Sequence, residues 1–206
     1  MAIRALEYWW EGKAVEQRWQ WSKLSNIPLH VQQAVIAAED ARYLNHWGID
    51  LSAVEDAIED GAGQKRVRGA STITMQTVKN VFLWPGRSYL RKALEAGMAL
   101  VAGVVWGKRR TFELYLNVIE WGEGVYGVDA AARYHYGKGV EALSSSEAAA
   151  LAAILPSPRR VSPRELAGVA WRRFRRIQRE APSVVIPESF RRGRNTTASS
   201  GDKSKG

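Results

Sequence analysis

Glu39 and Asp40 stand side by side at the end of an apolar stretch, with His46 and Asp50 a few residues further on. Carboxylates so placed can take a proton from a hydroxyl or hold a cation. A second polar block follows, Ser71-Thr72-Ile73-Thr74-Met75-Gln76 with Lys79 and Asn80, and a third, Arg91-Lys92 with Glu95, sets another carboxylate among cations. Glu39 and Glu95 as a pair suit chemistry at an anomeric carbon. One acts as base on an attacking hydroxyl while the other protonates the leaving oxygen or stabilises charge. The plainer structural reading makes Glu39 a solvated helix end and Glu95 an ion pair with Arg91 on the same helix. Lys79, Arg87, Arg91 and Lys92 favour a phosphate leaving group, because expelling a pyrophosphate needs cations where its charge develops, whereas glycan cleavage needs a proton donor.

These residues must be positioned by helices. Pro28 at a first turn, then Val31, Ala34, Val35 and Ala38 on one face, predict a helix that delivers Glu39 and Asp40 near its C-terminal end, where the helix dipole disfavours negative charge. Ser52 with Glu55 forms a capping-box pattern for a short helix with Leu51, Val54 and Ile58 inward, and Gly61 and Gly63 open a basic loop that ends at Gly69. Ser71 or Thr72 caps a helix to about Phe82, and Ser88 caps a long one to about Trp106. The apolar run from Ala96 to Trp106 is about half a bilayer span and reads as a buried helix segment. Phe112, Tyr115, Leu116 and Ile119 are at helical spacing. Residues 121–127 read as a glycine-punctuated loop. Residues 127–136 and 144–155 read as helices, the latter with a Ser144/Glu147 capping box, and Ser162-Pro163-Arg164-Glu165 as the start of a last helix. Strand signals are scarce, so the fold class is mainly α.

With 206 residues and 46% hydrophobic content the chain can bury one core, and a single domain is expected over residues 1–180, its motif core at about 28–160. From about Pro187 the composition predicts a disordered basic tail to residue 206. Cysteine is absent, which removes thiolate nucleophiles and thiolate metal sites. The net charge of +9 is confined to the C-terminal portion: residues 1–157 hold 17 basic and 17 acidic side chains, while residues 158–206 hold 13 and 4. That portion, with Arg159, Arg160, Arg172, Arg173, Arg175, Arg176 and Arg179, can bind a polyanion or an anionic membrane surface without defining the function.

Taken in order, the blocks resemble the motifs of the peptidoglycan glycosyltransferases, in their monofunctional biosynthetic form. Glu39, Asp40, His46, Gly48 and Asp50 are in register with Glu-Asp-x-x-Phe-x-x-His-x-Gly-x-Asp. Gly69, Ser71 to Thr74, Gln76, Lys79 and Asn80 match Gly-x-Ser-Thr-Ile-Thr-Gln-Gln followed by Lys-Asn. Arg91-Lys92 with Glu95 resembles the third motif, Tyr115-Leu116-Asn117 the fourth, and Gly127-Val128 with Ala130 to Ala132 the fifth. The resemblance covers about residues 5 to 160. Two positions depart from the pattern: Tyr43 replaces Phe and adds a hydroxyl, and Met75 replaces the first Gln of a pair, losing an amide that can donate and accept hydrogen bonds.

The resemblance implies a lysozyme-like helical domain that polymerises lipid II, the undecaprenyl-pyrophosphate disaccharide-pentapeptide, into β-1,4 glycan strands with inversion. Glu39 is then the general base, and Lys79 and Arg87 hold the pyrophosphate. Glu95, beside Arg91, orients cations or a phosphate-bound Mg or Mn. Ser71, Gln76 and Asn80 are hydrogen-bonding residues for substrate, and Asp40 and His46 shape the site. No organic cofactor and no nucleic acid are expected. The partners implied are lipid II, the growing glycan strand, a membrane surface and cell-wall synthesis proteins, at the periplasmic face of the inner membrane. The family's N-terminal anchor is not in the sequence, so the chain is expected to be peripheral. Among Val81, Phe82, Leu83, Trp84, Tyr89 and Leu90 some are expected to contact lipid. The competing readings are a lysozyme-like muramidase or lytic transglycosylase, and a basic module that binds RNA or membrane.

Overall fold

Extended backbone at Pro28 (φ −54°, ψ 148°) opens the first helix, α1, Leu29–Glu39. Val31, Ala34, Val35 and Ala38 are buried as their spacing predicts, and so are Gln32, Ile36 and Ala37, because neighbours cover α1 on more than one side. The Gln32 side-chain NH2 donates to the carbonyls of Leu24 (3.2 Å) and Ile27 (2.7 Å), while its Oε1 has no partner among the described residues. A buried NH2 left unpaired here would cost on the order of 1–3 kcal/mol.

The computed structural model describes residues 16–52, 55, 71–84, 86 and 88–192. Arg87, Gly69, the glycines at 61 and 63 and most of the short helix expected after Ser52 lie outside them. Helix α2, Ile73–Phe82, is capped by Thr72, whose hydroxyl accepts from the Met75 amide. Ser88 caps α3, Tyr89–Val105, in the same way through Arg91. Then follow α4, Gly107–Val118; α5, Val128–Tyr136; α6, Ser145–Ile154, with the expected Ser144/Glu147 capping box; and α7, Gly168–Glu180. The architecture is mainly α, as the sequence predicts.

Helices α1, α6 and α7 pack on one another around the larger core, which also takes Phe112, Tyr115 and Leu116 of α4. Helix α2 packs against both α3 and α4, and a second, smaller cluster forms from Met75, Val78, Ala99 and Ala102. The end of α1 and the inner face of α2 therefore meet where the two clusters adjoin.

Four local expectations need correction. Residues 121–127 are not a plain loop: β2, Glu120–Gly122, and β3, Val125–Tyr126, form a short antiparallel pair, and β1, Arg18–Trp19, joins β3 in parallel. The pairing is tertiary, since β1 lies a hundred residues away in sequence, and local patterning cannot announce it. Ser162 caps only a turn, accepting from the Arg164 amide at 3.2 Å, and the last long helix waits until Gly168, whose φ of +54° separates the turn from the helix. The tail is ordered through a helical turn, α8, Glu188–Arg192, because Phe190 packs against Phe112 with ring centroids 6.1 Å apart. The run from Ala96 to Trp106 is not buried as a whole: Ala99, Ala102 and Gly103 face inward, while Leu100, Val101, Val104 and Val105 are exposed. Small residues are required inside because the chain at Trp47 and Gly48 lies directly on α3. A Cβ at Gly48 (φ +122°) would stand 2.5 Å from the Ala99 carbonyl oxygen, and one at Gly103 would collide with the Trp47 carbonyl.

Candidate active site

Glu39 is the last residue of α1, and its two oxygens are held from different helices. The Gln76 amide, on α2, donates to Oε2 at 2.9 Å, and the Arg173 guanidinium, on α7, donates to Oε1 at 2.8 Å. Arg173 also reaches the carbonyls of Ala153 (3.3 Å) and Ala38 (3.5 Å), and Arg176, one helical turn on, reaches Ala38 at 3.4 Å. Cations thus gather at the C-terminal end of α1, where orphan carbonyls and the helix dipole favour positive charge. They offset the unfavourable placement of Glu39.

Asp40 escapes the same helix end by turning away from it. Its carboxylate accepts from the Ile73 amide at 3.0 Å, which caps the N-terminus of α2 from outside that helix, and both its oxygens lie 3.1 Å from Nε2 of His46. Nδ1 of His46 accepts from the Gly48 amide (3.2 Å) and faces Nζ of Lys108 (3.3 Å). Thr72 donates to the Gly48 carbonyl, so the loop after α1 is tied to the start of α2 twice. Asp40 and His46 thus fasten the loop after α1 to the start of α2. Although Asp40, His46 and Asp50 bring ligand-type atoms within 4.8 Å of one another, Asp50 is already held by Arg42 and Ser52, each at 2.8 Å.

Both departures from the family pattern find their reasons here. The hydroxyl of Tyr43 donates to the Lys108 carbonyl at 2.7 Å, and the Lys108 ammonium lies 4.2 Å from the centre of the ring. Burial, with Asp40 adding, pushes the Tyr43 phenol well above its ordinary range, so it stays a donor. Met75 points away from Glu39 into the small apolar cluster with Val78, Ala99 and Ala102, where a thioether packs better than an amide.

Gln76, Lys79 and Asn80 line a cavity of about 430 Å³ together with Tyr115, Glu120 and Arg159. Gln76 connects this cavity to Glu39, and Tyr115 stands behind it, its hydroxyl donating to the side-chain Oε1 of Gln76 at 3.4 Å. Burial, with Glu39 adding, raises the Tyr115 phenol well above its usual range and keeps it protonated. Asn80 donates back to the Gln76 carbonyl at 2.8 Å.

Glu95 belongs to a separate cluster and, among the described residues, shares no partner with Glu39. Arg91 holds one of its oxygens at 2.7 Å and Lys92 the other at 2.9 Å, and Lys92 also reaches the Ser71 hydroxyl at 2.6 Å. Glu95 is 2% exposed, and the Arg91 ion pair of the plainer reading is present. Both oxygens of Glu95 therefore serve side-chain cations of its own helix.

Sequence reasoning did not assign Arg173 to the site. The usable signal is its spacing: Arg173 and Arg176 flank Phe174 and Ile177, the two buried residues of α7, so they lie at the margins of its inward face. The motif residues farther along the chain build the frame. Asn117, fully buried, exchanges bonds with Ser22 through its side chain (2.7 and 2.9 Å) and ties the N-terminal segment to α4.

A family model described as transglycosylase matches residues 8–181. The chain belongs to the transglycosylase family. It is similar to the biosynthetic peptidoglycan transglycosylase of Rhodospirillum centenum, 49% identical over 193 residues that cover 90% of this chain and 81% of the relative. The same named protein of Xanthomonas campestris pv. campestris is 47% identical over 188 residues, covering 91% and 76%. That of Shewanella amazonensis is 54% identical over 144 residues, covering 70% of this chain and 59% of the relative. In this transglycosylase family member the matched region runs from before β1 to the end of α7, so it contains Glu39, Gln76, Glu95 and Arg173 alike.

Proposed function

We propose that this protein is a peptidoglycan glycosyltransferase that polymerises lipid II, with Glu39 as the general base. The observation that carries this reading is the convergence of Glu39, Gln76 and Arg173 from three helices beside a cavity lined by Lys79. Each oxygen of Glu39 accepts one fixed bond and keeps lone-pair capacity for the proton of an acceptor hydroxyl. In the reaction the 4-hydroxyl oxygen of the acceptor sugar attacks the anomeric carbon of the donor. The bond from that carbon to the pyrophosphate oxygen breaks with its electron pair, and the hydroxyl proton passes to Glu39. Inversion follows from the single displacement. Lys79 supplies positive charge for the departing pyrophosphate, and Glu95 acts at one remove by fixing Arg91 and Lys92.

A lipid-linked substrate also accounts for the outer face of α3. Leu90, Leu94, Val101, Val104 and Val105 are exposed along one side of it, Phe82 stacks on Trp106 at its C-terminal end, and Trp84 and Trp47 are exposed as well. Scattered apolar residues are ordinary on a protein surface, but a stripe along a helix flanked by aromatic residues suits the boundary of a bilayer. Among the described residues no helix is long and apolar enough to cross a membrane. We infer peripheral seating at the outer face of the inner membrane, with this stripe in contact with lipid and the growing strand directed away from it. Tyr89, 98% exposed, and Leu90 serve that contact, whereas Leu83, at 8%, is core.

The test is incubation of the chain with fluorescent lipid II in detergent, beside Glu39→Gln. Muramidase-sensitive polymer from the wild type and none from the variant is the expected result. Release of soluble muropeptides from sacculi without polymer would replace the synthase reading with a lytic one.

A further inference from the structure

The C-terminal arginines divide into two groups. Arg173 and Arg176 turn inward to α1, as described above. Arg159, Arg160 and Arg164 instead border a second cavity, of about 580 Å³, whose other walls include Tyr134, His135 and Glu123. This cavity and the one lined by Lys79 have Pro158, Arg159 and Arg160 in common, so a substrate in the first has a direct continuation into the second.

The charge of the second cavity is not spent internally. Arg159 is paired with Glu120 at 2.9 Å, but Arg160 and Arg164 form no ion pair among the described residues. The Arg164 guanidinium lies 5.8 Å from the centre of the Tyr136 ring, a contact that fixes its stem and leaves its donors available. His135 donates from Nε2 to the Trp121 carbonyl at 2.9 Å, and burial, with Arg164 adding and that hydrogen bond opposing, pushes its pKa down, so the positive charge of this wall comes from the arginines. Two unpaired guanidiniums in a concave wall, with one carboxylate at the rim, are built for an anion that arrives with the substrate. Guanidinium matches a carboxylate in shape as well as charge.

We propose that this second cavity is a subsite for the stem peptide of the lipid-linked substrate, in which Arg160 and Arg164 receive the peptide's terminal carboxylate. The inference rests on the lipid II reading of the previous section. The disaccharide occupies the cavity beside Glu39, and the peptide, which branches from the sugar and ends in a free carboxylate, lies across Pro158 into the neighbouring one. Preference for an acid-terminated peptide is then set away from the reacting atoms.

The experiment measures binding, so its outcome does not depend on turnover. Fluorescence anisotropy in detergent compares labelled lipid II with an analogue whose terminal carboxylate is amidated, each against Glu39→Gln in the full chain. The same pair is then measured after adding Arg160→Gln and Arg164→Gln. Amidation is expected to weaken binding about 5- to 10-fold in the first protein and to have no effect in the triple variant, the size of one partly exposed charge pair or a little more. Equal binding of acid and amide by the Glu39→Gln protein overturns the subsite. So does a triple variant that loses acid and amide alike with an unchanged melting temperature. The polymer assay on the wild type is separate: lack of polymer there with preserved acid-over-amide selectivity would sink the catalytic reading and leave the subsite standing.

Discussion

The carboxylate of Glu39 is held by the guanidinium of Arg173 at 2.8 Å, across 134 residues of sequence. The pair joins the last residue of α1 to α7, and Arg173 fastens the ends of α1 and α6 by the same side chain. A base whose position depends on so distant a partner loses alignment when that partner is removed. Arg173→Met is expected to lower kcat about 10- to 100-fold with a smaller change in KM, as expected for lost orientation of a catalytic group. Arg173→Lys should restore part of it. Steady-state polymerisation over a range of lipid II concentrations checks both, and a variant that changes KM alone would assign Arg173 to substrate binding.

Glu39→Gln keeps an acceptor for Arg173 and a side chain of the same size, removing the base and replacing the acceptor of the Gln76 amide by a donor. Polymerisation is expected to fall by about 10²- to 10⁴-fold, the usual worth of a general base. The melting temperature should stay within the range of surface variants. Retained polymerisation in continuous fluorescence assays would show that another group takes the proton.

Gly48 and Gly103 let the loop after α1 lie directly on α3. Gly103→Ala drives a methyl group into the Trp47 carbonyl, and Gly48→Ala adds the strain of φ +122° to contact with backbone. Each is expected to cost about 1–3 kcal/mol. Urea unfolding of the two variants measures this, and Gly97→Ala, whose new Cβ meets nothing within 4 Å, is the control that should be neutral or stabilising.

Burial, opposed by Asp40 and Asp50, lowers Lys108 from an ordinary 10.5 to about 8. Below about pH 8 the folded and unfolded chains both carry this proton, and the folded state bears the full cost of burying it. Between about 8 and 10.5 the unfolded chain binds more protons at this position, so this contribution to stability rises with pH and levels off above that window. Thermal melts of wild type and Lys108→Met across the window should show the wild type gaining relative to the variant. A difference that is flat or runs the other way rejects the lowered value.

Much of this could be read from the residues. Thr72, Ser88 and Ser144 announce their helices because a hydroxyl cap acts within three residues, and the burial of Val31, Ala34, Val35 and Ala38 follows from their spacing alone. The resemblance of the motif blocks points to the family, and Gln76, Lys79 and Asn80 of the second block line one cavity. Caps and faces are local, so the sequence states them.

Other features were decided only when distant segments met. Arg173 reads as one more basic residue in a basic helix until α7 packs against α1 and its guanidinium reaches Glu39. Met75 reads as a lost amide until α2 turns it toward Ala99 and Ala102. The apolar run in α3 reads as core until small residues alone prove able to fit beneath the loop at Gly48, which turns the larger ones outward. In each case the side chain's environment is supplied by a helix or loop remote in sequence. Local propensity fixes which face a residue shares, whereas packing fixes what that face meets.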